Sequence, residues 1–253
     1  MRMTRRIFLG AAACAGSAPA RMRELELRCA LVDLGSDCVL RESLEGFAGA
    51  MPGAIKIPAE QLTDWQECQF YAVDRELGHR QECLFYVVPG AGAINDDLGL
   101  RLARLVDREG WLVFESGAGF ADETAFRTQR EMLASYFGLA IERPLDLWES
   151  GASIVPYVDY AWPAAVKIRD FSRVVPVGSG ARPAEARIKQ GFMTPVPPLE
   201  GIGSIAERLV AVRRRVGRGV LVYLGSPIGP ALGAGDRDAH RWLNSLSALA
   251  TRG

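Results

Sequence analysis

Residues 83–114, CLFYVVPGAGAINDDLGLRLARLVDREGWLVF, carry a strand, a helix and a second strand in one short run. CLFYVVPG (83–90) is continuously apolar, aromatic and β-branched, the make-up of a strand buried on both faces. Asn95 stands at a helix N-cap, Asp96 and Asp97 fill an acidic first turn, and Leu98, Leu102, Leu105 and Val106 line one side up to a stop at Gly110. Trp111–Phe114 then returns as a strand. A helix between two strands with short connections is the crossover of a parallel pair, since an antiparallel pair would be joined by a tight turn. The unit therefore predicts an α/β domain: a mostly parallel, doubly wound sheet between two helical layers.

The same alternation continues on both sides. Downstream, the turn ESGAGF (115–120) leads to Asp122, a second N-cap, and to a helix with Phe126, Leu133, Tyr136 and Phe137 on its apolar side and Gly138 as its stop. Upstream, LRCALVDL (27–34) reads as the first strand. Val39, Leu40, Leu44 and Phe47 mark a short helix, and AIKI (54–57) a second strand. Between Glu142 and Gly203 lie eight of the fourteen prolines, which predicts irregular antiparallel structure or a flap beside the main sheet, a sub-lobe over 142–203. Ser204-Ile205-Ala206-Glu207 has the form of a capping box and predicts a helix ending in Arg213-Arg214-Arg215 and Gly217, its cations complementing the helix dipole. VLVYLG (220–225) is the last strand, and Asp236 caps a closing helix through Trp242, Leu246 and Leu249.

The N-terminus, MRMTRRIFLGAAACAGSAPA, combines a basic start, a short apolar stretch and Ala18-Pro19-Ala20, an A-x-A cleavage form. Thr4-Arg5-Arg6-Ile7-Phe8-Leu9 resembles the twin-arginine (Tat) motif, departing where Gly10 replaces the final lysine. That resemblance implies a removable signal over 1–20, passage through the twin-arginine translocase after folding, and a periplasmic or extracellular mature domain over 21–253. Ile7–Ala20 is too short for a stable membrane span, and Cys14 offers an alternative as a lipoprotein acylation site. Overall charge balances, with 30 Lys and Arg against 30 Asp and Glu, so no basic field would gather nucleic acid. The remaining cysteines, Cys29, Cys38, Cys68 and Cys83, allow three pairings if all are bridged, and their spacing suits no zinc site; a buried thiol at Cys29 is equally open.

Ligands of open parallel sheets bind outside the carboxyl ends of the strands, which directs attention to loops 33–38, 89–95, 115–122 and 225–236. PGAGAIND and ESGAGFAD each put glycines before a helix N-terminus, but both lack the third glycine of a dinucleotide fingerprint, and their helix starts carry Asp96, Asp97, Asp122 and Glu123. No cofactor is expected. The candidate ligand-binding positions are Gly90, Ala91, Gly92, Asn95, Glu115, Ser116, Gly117, Gly119 and Ser226. Asp33 and Glu115, with Asp37, Asp96 and Asp122, are the oxygen donors a hard cation would require, while the competing reading makes them helix caps and a buried hydrogen-bonding group. Trp65, Trp148, Trp162 and Tyr157 are either a carbohydrate-stacking wall or packing for the proline-rich lobe.

The order of LFYVVPGAG, GWLVFESGAGF and GRGVLVYLGSPIGP resembles the class I glutamine amidotransferase-like superfamily, whose fold is flavodoxin-like, over about residues 27–250. In catalytic members the turn after the strand reads G-x-C-x-G, and a late histidine and glutamate serve the cysteine. Here Glu115 stands at the first glycine, Gly117 at the cysteine and Gly119 at the last glycine, and the local counterpart of the usual His-Pro is Trp162-Pro163. The resemblance thus implies the architecture without the catalytic residues. Ser116 lacks the flanking glycines of a nucleophile elbow, and His79 and His240 are the only histidines that could serve it. The expectation is a non-catalytic domain that binds a small molecule or an envelope protein at the carboxyl edge; the alternatives are a hydrolase using a carboxylate or metal there, and a structural module of an envelope complex.

Overall fold

A computed structural model describes residues 28–62, 83–108, 110–147, 157–169, 173–178, 186–188, 192–194 and 199–251. The expected signal at 1–20, with Cys14, and the side chains of Trp65, Cys68, His79 and Trp148 lie outside the described residues. In chain order the elements are β1 (Arg28–Asp33), α1 (Arg41–Ala50), β2 (Ile55–Pro58), β3 (Cys83–Ala91), α2 (Asp96–Arg108), β4 (Trp111–Ser116) and α3 (Glu123–Phe137). There follow β5 (Leu145–Asp146), β6 (Tyr157–Tyr160), β7 (Val166–Arg169), β8 (Arg173–Val174), β9 (Ala186–Ile188), β10 (Phe192–Thr194), β11 (Glu200–Ile205), β12 (Arg208–Val216), β13 (Gly219–Leu224), α4 (Gly229–Gly233) and α5 (Arg237–Ala250).

Nine strands form one sheet in the order β2-β1-β3-β4-β13-β12-β11-β6-β7. The first five are parallel, in the flavodoxin-like order 2-1-3-4-5, and the last four run antiparallel from β13 outward. The parallel strands are the apolar runs of the sequence: Leu31, Val32, Val87, Val88, Val113, Phe114, Leu221 and Val222 are all essentially inaccessible. Consecutive residues of β4 face opposite layers. Glu115 meets α1 and α4, and Ser116 meets α3.

The helix boundaries follow from their caps. Asn95 accepts from the Leu98 amide (2.9 Å), Asp122 from Ala125 (2.8 Å), and Asp236 from Asp238 and Ala239 (2.8 and 3.0 Å). Gly138 ends α3 in the left-handed region, at φ 59°. α1 and α4 touch backbone to backbone: a Cβ on Gly46 would overlap the Gly229 carbonyl, so only glycine permits this approach.

Two expectations change. The helix expected from Ser204 is instead the hairpin of β11 and β12, and Ala206 and Glu207 form its turn with φ of 43° and 67°. Two successive left-handed residues are the arrangement of a type I′ turn, whose twist suits a hairpin. The arginine triplet therefore lies on a strand, where alternation sends Arg214 inward, to 2% exposure, and leaves Arg215 exposed. The 142–203 stretch does hold antiparallel structure, but β6 and β7 extend the main sheet, while β5 with β8 and β9 with β10 form small separate pairs.

Candidate functional site

The carboxyl edge of the parallel strands is closed by its own loops. Val39 donates to the Gly90 carbonyl (3.0 Å) and Gly92 to the Asp37 carbonyl (2.8 Å), which zips loop 33–38 to loop 89–95. Gly90 takes a positive φ of 54° against Leu40, whose carbonyl would lie 2.7 Å from an added Cβ. Between these loops the Cys38 thiol is buried and donates toward the Leu40 and Pro89 carbonyls at 3.5 and 3.7 Å. Burial pushes the thiol's pKa up, opposed by the Leu40 contact and aided by the nearby Glu115 charge, which favours the neutral thiol. Because Cys38 is a thiol, two bridges among the four cysteines are not formed here.

Glu115 is fully buried at the end of β4, and both carboxylate oxygens accept backbone hydrogen bonds. Oε2 takes the Gly90 amide at 2.8 Å; Oε1 takes those of Ile228 and Gly229 at 2.7 and 2.8 Å. The buried Ser43 hydroxyl faces the same carboxylate and favours its charged form, although it makes no well-aligned hydrogen bond. Desolvation dominates and raises the Glu115 pKa; the Gly229, Ser43, Gly90 and Ile228 contacts oppose it. One side chain thus ties loop 89–95, the loop after β13 and α1 together.

On the other face of β4, Ser116 donates to Gln129 Oε1 at 2.6 Å, and Gln129 Nε2 donates to the Ala91 and Gly92 carbonyls at 2.6 and 2.8 Å. An amide can orient a hydroxyl but cannot take its proton, so this pair is an orienting contact and not a nucleophile with a base. The next position is closed sterically. A Cβ on Gly117 would sit 2.5 Å from the Gly90 carbonyl oxygen and 2.6 Å from Val39, while its amide already donates to Ala91 (2.7 Å). The place that holds cysteine in the catalytic turn has no room for any side chain. Gly119 packs on Arg173, whose guanidinium reaches its carbonyl at 3.4 Å.

Among the candidate ligand positions, Gly90, Ala91, Gly92, Glu115, Ser116, Gly117, Gly119 and Ser226 are buried and only Asn95 is exposed. Asp33 accepts from the Gly35 amide (3.0 Å), Asp122 caps α3, and Asp37 and Asp96 point outward. Among the described residues, no three of His, Cys, Asp and Glu converge as metal ligands. His240 lies on α5 with Nε2 3.1 Å from the Leu232 carbonyl, beside the shallow groove between α1 and α4. Trp162 stacks with Trp111 at a centroid separation of 6.3 Å and lies against the Arg213 guanidinium at 4.4 Å. Its carbonyl accepts from Trp242 (3.0 Å), so half-buried Trp162 packs against the core, as the packing alternative expects. Tyr157 stands apart at 40% exposure.

Sequence reading missed Gln129, Ser43 and the pair Ile228–Gly229. Gln129 was detectable, because it occupies a position spaced with Phe126, Leu133 and Tyr136 on the buried side of α3.

This geometry can be set beside known proteins. No family model matches the chain and no curated protein matches its sequence. Solved structures do match in fold. A ThuA-like protein from Bacteroides uniformis superposes with a TM-score of 0.50 at 10% identity, over 92% of this chain and 95% of that one. The chain shares that fold. A cytoplasmic protein from Salmonella typhimurium LT2 matches with a TM-score of 0.52 at 9% identity, over 88% of this chain and 99% of its own. A β-galactosidase from Bacillus circulans sp. alkalophilus gives 0.53 at 11% identity over 86% of this chain. This chain spans only about a third (31%) of that enzyme's length. Among the described residues, no helix is long and apolar enough to cross a membrane.

Proposed function

We propose that this chain is an exported, non-catalytic domain of glutamine amidotransferase-like fold that binds a partner protein of the cell envelope at the carboxyl edge of its parallel sheet. The observation that carries the reading is the closed elbow: Gly117 has no space for a nucleophile, Ser116 is engaged by an amide, and Glu115 spends both oxygens on backbone amides. Among the described residues of that edge, Asp37, Asn95, Asp96 and Asp122 reach solvent and form an exposed polar rim around the buried glycines. A rim of that shape suits a macromolecular contact better than an enclosed small ligand, which needs concavity to bury most of its surface. The same fold occurring as about a third of longer enzymes is in keeping with a module that works against other protein surface.

Export and binding are tested separately. Replacing Arg5 and Arg6 with lysines in the full chain, expressed in a host with a twin-arginine translocase, should retain the protein in the cytoplasm; unchanged periplasmic accumulation would refute export by that route. For binding, a photo-crosslinking residue at Asn95 should capture an envelope protein, whereas one at the exposed Arg215, near the opposite edge, should not. Equal capture from both positions, or none from Asn95, would refute the rim as the binding face. Metal-dependent hydrolytic turnover by the parent protein that is lost in Glu115→Gln would favour the carboxylate or metal hydrolase instead.

A further inference from the structure

Near the edge opposite Glu115, β12 carries a charge for which the fold supplies only part of a partner. Arg214 is 2% exposed, and its Nη1 donates to the carbonyls of Phe137 and Gly138, both at 2.7 Å, where α3 ends. That contact places the guanidinium at the negative end of the helix dipole, equivalent to about half a charge. Nε and Nη2 are buried with no acceptor. Its neighbours differ: Arg213 pairs with Glu200, and Arg208 with Glu142, whereas among the described residues no carboxylate reaches Arg214. Burial lowers the Arg214 pKa, but a guanidinium does not deprotonate in a protein, so the charge must be compensated where it sits.

The unsatisfied pair is chemically specific. Nε–H and Nη2–H leave the guanidinium in parallel on one edge, the fork that meets the two oxygens of a carboxylate. Two parallel, coplanar donors match the two coplanar oxygens of a carboxylate more closely than they match a single spherical chloride. We propose that the Nε–Nη2 edge of Arg214 is an anion seat whose occupant is a carboxylate, held against the end of α3. The carboxylate comes either from the chain itself or from a small free acid, and both offer the same two oxygens.

The test follows the Nε–H signal of Arg214 by ¹⁵N NMR in the full chain, assigned by its loss in Arg214→Lys, or by selective decoupling if that variant does not fold. A seated carboxylate moves this proton downfield and slows its exchange by about tenfold or more relative to the exposed Arg215. If those features are present before any anion is added and persist after dialysis, the carboxylate belongs to the chain. If they appear saturably with sodium acetate and not with sodium chloride at equal ionic strength, it is a free acid. In that case the wild-type Tm rises by roughly 5 °C at a hundredfold excess over Kd, a rise absent from Arg214→Lys. An equal response to both salts, or fast exchange under every condition, means water alone fills the site and overturns the proposal.

Discussion

Replacing Glu115 with glutamine changes one oxygen to an amide nitrogen and leaves shape almost untouched, so its cost isolates the hydrogen-bonding role of the carboxylate. Glutamine can keep a single acceptor oxygen. The cheaper orientation gives it to the two amides of Ile228 and Gly229, at 2.7 and 2.8 Å, and turns the new NH₂ toward the Gly90 amide, 2.8 Å away. Two donors then face each other in a fully buried site. An unsatisfied buried donor costs about 1–3 kcal/mol, and relief from desolvating a carboxylate offsets part of the total, so a loss of about 2–4 kcal/mol is expected. For a chain of this size that lowers Tm by roughly 5–15 °C. Urea unfolding measures the loss, and hydrogen exchange places it: the Gly90 amide should exchange faster while Ile228 and Gly229 stay protected. A loss below about 1 kcal/mol, or equal deprotection of all three amides, would show that the carboxylate does not hold these loops as described.

The same variant carries a pH signature: because the folded pKa of Glu115 is raised, its contribution is fully present below the ordinary carboxylate value near 4.5 and fades as pH rises through the folded value. Stability of the parent relative to Glu115→Gln should therefore increase on acidification toward pH 4.5, and a flat difference across that range would refute it. Gly117→Ala should cost more than about 3 kcal/mol by denaturant unfolding, because its Cβ meets the Gly90 carbonyl at 2.5 Å; Gly117→Cys should fail equally and restore no activity. Gln129→Leu leaves the Ala91 and Gly92 carbonyls and the Ser116 hydroxyl without their partner, with an expected loss of about 2–4 kcal/mol, readable as a fall in the urea midpoint.

The parallel half of the fold was legible because each of its rules acts locally. β3, β4 and β13 are apolar runs, and Asn95, Asp122, Asp236 and Gly138 are caps whose chemistry involves only a few neighbouring residues. The β11–β12 hairpin was not legible for two physical reasons. Its turn uses Ala206 and Glu207 with positive φ, where Asn-Gly or Asp-Gly would have announced it, and three successive arginines hide a strand that turns one of them inward. At the candidate site, sequence reading brought the glycine turns and Glu115 to one edge. The contacts that engage Glu115 arrive from Ser43, Gly90, Ile228 and Gly229, positions separated by up to about 190 residues, and no short-range pattern specifies such a meeting.

The position of β13 inside the sheet also bears on how the molecule is made. β4 lies between β3 and β13, yet about a hundred residues, including β5 to β12, are synthesised between Ser116 and Gly219. While the ribosome adds them, one side of β4 has no neighbouring strand and Glu115 has only the Gly90 amide of its three. A nascent chain that stops short of Gly219 therefore presents an unpaired, apolar strand edge to chaperones, and the domain cannot close until almost its whole length has left the exit tunnel.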